Sequence, residues 1–87
     1  MYENSLRERI VGFSKFINDT SNTEAQKYNI HISEKEIDSW LNTASGGMTL
    51  QMEVNLSLFN SQVKSSDDKD IFTRDDAIKG IIWELES

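Results

Sequence analysis

The stretch Met48-Thr49-Leu50-Gln51-Met52-Glu53-Val54-Asn55-Leu56-Ser57-Leu58-Phe59 decides the fold. Met48, Leu50, Met52, Val54, Leu56 and Leu58 alternate with polar residues, and an alternation of period two predicts a strand with one buried face. The same stretch also fits a helical stripe through Met48, Met52, Leu56, Phe59 and Val63. Met, Leu, Gln and Glu are good helix formers, and Val54 is the one β-branched residue in the apolar set. On the strand reading the chain is α+β: a single domain over 1–87, with about three helices packed on a small antiparallel sheet that contains a strand near 48–59. On the helical reading it is all-α, a four-helix bundle. A lone strand is unstable, so it would pair with Tyr28–Ile32, with a fold-back through Val63, or with another chain.

The helices around this stretch carry clearer signals. Leu6, Ile10, Phe13 and Ile17 recur at helical spacing. Ser5 with Glu8 reads as a capping box at the start of that helix, and the run Asn18-Asp19-Thr20-Ser21-Asn22 should end it. Thr23 and Gln26 fit a short helical turn. Tyr28, Ile30 and Ile32 alternate with Asn29 and His31, which predicts a short strand. Ser33 and Glu36 make a second capping box, with Ile32 and Ile37 as a hydrophobic staple. Ile37, Trp40 and Leu41 share a face of the helix that follows, which should stop near Asn42. Ser45-Gly46-Gly47 reads as a linker or helix C-cap. After a polar connection over 60–72, Thr73 is the expected N-cap of a last helix. Asp75 and Asp76 in its first turn suit the helix dipole. Ile78, Ile81, Ile82 and Leu85 form its apolar stripe.

Composition narrows the function. The 87 residues contain 15 acids and 9 bases, a net charge of −6 at neutral pH. Such a surface repels phosphate backbones and anionic membranes and attracts a basic protein partner. There is no Cys and one His, so disulfides and thiolate metal sites are excluded. No apolar run approaches the length of a membrane-spanning helix. The polar start Met1-Tyr2-Glu3-Asn4-Ser5 predicts no secretory signal and a cytoplasmic chain. Ile and Asn number 16 together, against three Ala and no Pro, a usage that suggests an AT-rich, bacterial or mobile-element gene.

The chemistry-bearing motifs fail on inspection. A calcium loop starting at Asp68 would place Phe72, Thr73 and Lys79 where an oxygen ligand, Gly and Glu are needed. Ser45-Gly46-Gly47 lacks the Lys of a phosphate loop. His31 has no assignable nucleophile or orienting acid. Glu34, Glu36 and Asp38 are explained by their place in the first turns of a helix. Glu53 falls on the polar face of the expected strand. The chain therefore reads as a non-enzyme with no cofactor.

Trp83 is the residue that stands out. At about 100° per residue it lies roughly 150° from the apolar stripe of the last helix, beside Asp76, Lys79 and Glu86. Trp is enriched at the centres of protein interfaces. Asp67, Asp68, Asp70, Asp75 and Asp76 add a dense negative patch nearby. The candidate partner-binding set is Trp83, Asp67, Asp68, Asp70, Asp75, Asp76, Lys79 and Glu86. In size, charge and composition the chain resembles toxin-neutralising immunity proteins. That resemblance implies an inhibitor that occludes the active site of a basic toxin or nuclease. One alternative is a phage-type inhibitor of a nucleic-acid-processing enzyme, which presents carboxylates where phosphates would sit. Another is a homo-oligomeric assembly subunit that pairs through the edge of the 48–59 strand.

Overall fold

The computed structural model describes residues 2–61 and 73–86. They form five helices: α1 (Tyr2–Asn18), α2 (Thr23–Gln26), α3 (Glu34–Thr43), α4 (Gly46–Ser61) and α5 (Arg74–Glu86). Among the described residues there is no strand, so the α+β expectation is corrected to an all-helical fold. The residues fall into two compact units, Met1–Thr43 and Ala44–Leu85.

In the first unit α1 packs on α2 and α3. Leu6, Ile10, Phe13 and Ile17 are all buried, as their spacing predicts. The helix begins at Tyr2, however, so Ser5 lies inside it and is not its cap. Asn22 caps α2 instead, its side-chain oxygen accepting from the Ala25 N–H at 3.1 Å. Residues 28–32 are not a strand. Asn29 has φ of +50°, a left-handed conformation that Asn tolerates and an extended ladder does not. The segment is held in place by Asn18. Its Nδ2 donates to the Ile32 carbonyl and its Oδ1 accepts from the Ile32 N–H, each at 2.8 Å. One carboxamide thus satisfies both backbone groups of a buried residue, as a neighbouring strand would.

The capping box before α3 forms as expected. Ser33 N–H donates to Glu36 Oε1 at 2.8 Å and Glu36 N–H donates to Ser33 Oγ at 3.2 Å. Ile32, Ile37 and Trp40 are buried. Arg7 of α1 reaches across to α3, with Nε on Asp38 Oδ1 at 2.8 Å and Nη2 on Glu34 Oε1 at 3.3 Å. Its hydrogen bond holds the Asp38 carboxyl below the usual carboxylate range.

In the second unit the decisive stretch is α4. Ser45 caps it, Oγ accepting from the Met48 N–H at 3.3 Å. Gly46 and Gly47 are therefore the first residues of a helix rather than a linker. The buried residues are Met52, Asn55, Leu56 and Phe59, a helical spacing. The alternation misleads for a geometric reason. Alternate residues sit about 200° apart on a helix, so a period-two pattern places apolar side chains on both of its sides. Met52 and Leu56 turn inward. Leu50 and Val54 turn outward, 65% and 45% exposed.

α5 starts at the expected cap. Thr73 Oγ1 accepts from the Asp76 N–H and Asp76 Oδ2 accepts from the Thr73 N–H, both at 3.1 Å. Ala77, Ile78, Ile81 and Leu85 are buried, and Ile82 is half-buried. Two contacts fix α4 against α5. The Arg74 guanidinium donates to the Phe59 carbonyl and lies 4.5 Å from the Phe59 ring centroid. It satisfies one of the carbonyls that the end of α4 leaves open. Further along, Gly80 meets the Asn55 carboxamide so closely that a β-carbon there would lie 2.8 Å from Asn55 Nδ2. Asn55 also accepts from Gln51 Nε2 at 3.3 Å. From the first contact to the second, moving forward on α5 means moving back on α4, so the helices run antiparallel across these two contacts.

Candidate protein-binding surface

The described members of the expected set all lie on α5. Trp83 is 72% exposed, the most open of the large apolar side chains among the described residues. Asp75, Asp76, Lys79 and Glu86 are exposed too. Lys79 Nζ is 3.0 Å from Asp75 Oδ2, one turn away. Asp76 closes the capping box with one oxygen. Asp67, Asp68 and Asp70 lie outside the described residues.

The contacts between α4 and α5 show which faces of the two helices meet. Arg74–Phe59 and Gly80–Asn55 mark the face of each helix that meets the other. On α4, Met52 and Leu56 turn to one side of that line, and Leu50 and Val54 turn to the opposite side, on about 100° per residue. On α5, Ile78, Ile81 and Leu85 turn to the buried side, and Trp83 to the open one. Around α4, Val54 lies about 100° and Leu50 about 140° from Asn55, on the side opposite Phe59, so both turn away from α5. Leu50 and Val54 were read as inward strand residues, so sequence reasoning missed them as surface. The usable signal was the second helical stripe hidden in the alternation, Leu50, Val54 and Leu58.

α4 has a single charged residue, the half-buried Glu53, among its 16. On α5 the last turn has no basic residue, so nothing there offsets the negative end of the helix dipole.

The rest of the described surface offers less. A shallow cleft of about 240 Å³ is lined by Ile17, Asn18, Thr20, Gln26, Asn29 and His31, among others. Two of its three amides are hydrogen-bonded internally: Asn18 to Ile32, and Gln26 Nε2 to the Asp19 carbonyl at 3.0 Å. His31 is exposed at its rim. Asp19 is held below the usual carboxylate range by the Ser21 hydroxyl and N–H. Among the described residues no group of three or more His, Asp or Glu could hold a metal ion. No described helix is long and apolar enough to cross a membrane. Compared with known proteins, the chain matches no family model, no curated protein and no solved structure.

Proposed function

We propose that this chain is a small acidic protein-binding module of the inhibitor type, one that binds a basic toxin or nuclease and occludes its active site. The observation that carries the reading is Trp83, a large aromatic side chain 72% exposed on an acidic helix. An exposed Trp costs solubility and supplies rigid contact area, which is the profile of an interface anchor. The net charge of −6 adds steering toward a basic partner. The rival assembly reading drew on a strand edge, and the described residues contain no strand to supply one.

The test is capture from the native host with this chain as bait, followed by an activity assay on what is captured. The expected result is one basic protein, released by high salt. Its nuclease activity falls when the wild-type chain is added and persists with Trp83→Ala. Recovery of the bait's own copies alone, or a captured protein whose activity never changes, refutes the reading.

A further inference from the structure

We infer that the side of α4 turned away from α5 is a self-pairing face, on which a second copy of this chain lays its own α4 antiparallel about a two-fold axis at Val54. Around α4, Gly47, Leu50, Val54, Ser57, Leu58 and Ser61 fall within an arc of about 100°. Leu50 and Val54 are 65% and 45% exposed. Gly47, Ser57 and Ser61 are exposed and Leu58 is half-buried. No charged residue falls in this arc, and Glu53 lies beyond its edge.

Symmetry selects the occupant. The face reads nearly alike in both directions from Val54. Leu50 and Leu58 stand four residues to either side, and Gly47 and Ser61 seven to either side. A two-fold contact needs a patch that matches itself, so that what one copy offers the other receives. An antiparallel copy centred on Val54 meets that need: Val54 packs on Val54, Leu50 on Leu58, and Gly47 beside Ser61. The small residues Gly47, Ser57 and Ser61 let the two backbones come close. Ser61 Oγ already donates to the Leu58 carbonyl at 3.1 Å, so its hydroxyl hydrogen is satisfied within α4.

Charge favours the same occupant. A basic partner finds no carboxylate on this side to pair with, whereas a second copy brings an equally uncharged one. The net charge of −6 on each chain opposes the approach, so added salt strengthens the pair. Salt releases a basic partner, so the two associations respond to it in opposite directions. The face also leaves α5 out, and Trp83 stays open to a partner of its own. One helix wide and about 21 Å long, it belongs with small, transient interfaces. The pair therefore exchanges with the monomer and forms at high concentration.

The test is sedimentation of the whole chain over a wide range of concentration, at low and at high salt. The expected result is a single chain at low concentration and the mass of two chains at high, with the change reached earlier when salt is added. Val54→Arg sets two like charges together on the axis and should abolish the pair, with circular dichroism checking that the helices remain. The chain has no Cys, so single cysteine variants report the register. Val54→Cys should link to its copy under mild oxidation, because the two sites meet at the axis. Leu50→Cys should not, since its two sites lie about 12 Å apart along the pair, beyond the reach of a disulfide.

A monomer at every concentration overturns the proposal, and so does a pair that survives Val54→Arg. Linking of Leu50→Cys as readily as Val54→Cys shows another register and overturns it too. A pair lost in Trp83→Ala runs through α5 and overturns it as well. If Val54→Arg loses its helices, Val54→Cys decides, and the absence of a link removes the two-fold face. Capture of a basic protein from the host judges the inhibitor reading separately from all of these results.

Discussion

Replacing Gly80 with Ala should expose the α4–α5 contact, because two opposed effects meet at one atom. In a solvent-exposed helix interior the change would stabilise by about 1 kcal/mol through helix propensity. Here the new β-carbon would lie 2.8 Å from Asn55 Nδ2 and 3.4 Å from its Cγ. Asn55 is 2% exposed, so its carboxamide has little room to swing. If it does swing, it gives up the 3.3 Å bond from Gln51. Overpacking of this kind costs roughly 1–3 kcal/mol. The expected net effect of Gly80→Ala is therefore destabilisation by about 1 kcal/mol, the overpacking exceeding the propensity gain. In an Asn55→Ala background the clash is gone, and the same substitution should stabilise by about 1 kcal/mol. The coupling across the cycle is then about 2 kcal/mol. Urea unfolding of the four proteins measures it, with the m-value checking that unfolding stays two-state. If Gly80→Ala stabilises equally in both backgrounds, α4 and α5 do not meet at Asn55 and Gly80.

Trp83→Ala should leave the urea midpoint nearly unchanged and weaken partner binding by about 2 kcal/mol or more, whereas Trp40→Ala, removing a side chain only 5% exposed, should cost about 3–5 kcal/mol of stability. A large loss of stability from Trp83→Ala would show that its ring is packed. Asp38 and Asp19 both have carboxyls held below the ordinary value, so their contribution is present above the unfolded carboxylate pKa and is lost as pH falls through the folded values. Stability measured against pH should thus drop less steeply below about pH 4 in Asp38→Asn and Asp19→Asn than in wild type; an identical acid slope would refute those two interactions. Replacing Asp67, Asp68 and Asp70 by Asn should slow association with the basic partner at low salt and leave dissociation little changed, and stopped-flow rates equal to wild type would remove these residues from the steering field.

Local signals were readable wherever one principle acted alone. The stripe Leu6–Ile10–Phe13–Ile17 has only one period, so its burial was legible. The boxes Ser33/Glu36 and Thr73/Asp76 were legible because each satisfies specific N–H groups at a helix start. The 48–59 stretch was not, because two periods coexist in it. A helix that must cover a core on one side and present Leu50 and Val54 on the other reads as alternation. Residues 28–32 failed for a different reason. Their backbone partner is the Asn18 side chain, 14 positions away from Ile32, and no spacing rule connects them. On the candidate surface, Trp83 could be singled out from one helix alone. The exposure of Leu50 and Val54 could not, since the alternation hides which side of α4 is buried.

The Asn18–Ile32 pairing also sets a clock. An amide in an irregular segment ordinarily exchanges its hydrogen with solvent quickly. The Ile32 N–H lies in no helix, yet it is held by Asn18 Oδ1 at 2.8 Å in a residue 1% exposed. It can exchange only when the segment lifts from the end of α1. Its rate therefore reports that opening by itself, apart from the unwinding of any helix, and gives this small fold one position at which a local motion can be timed.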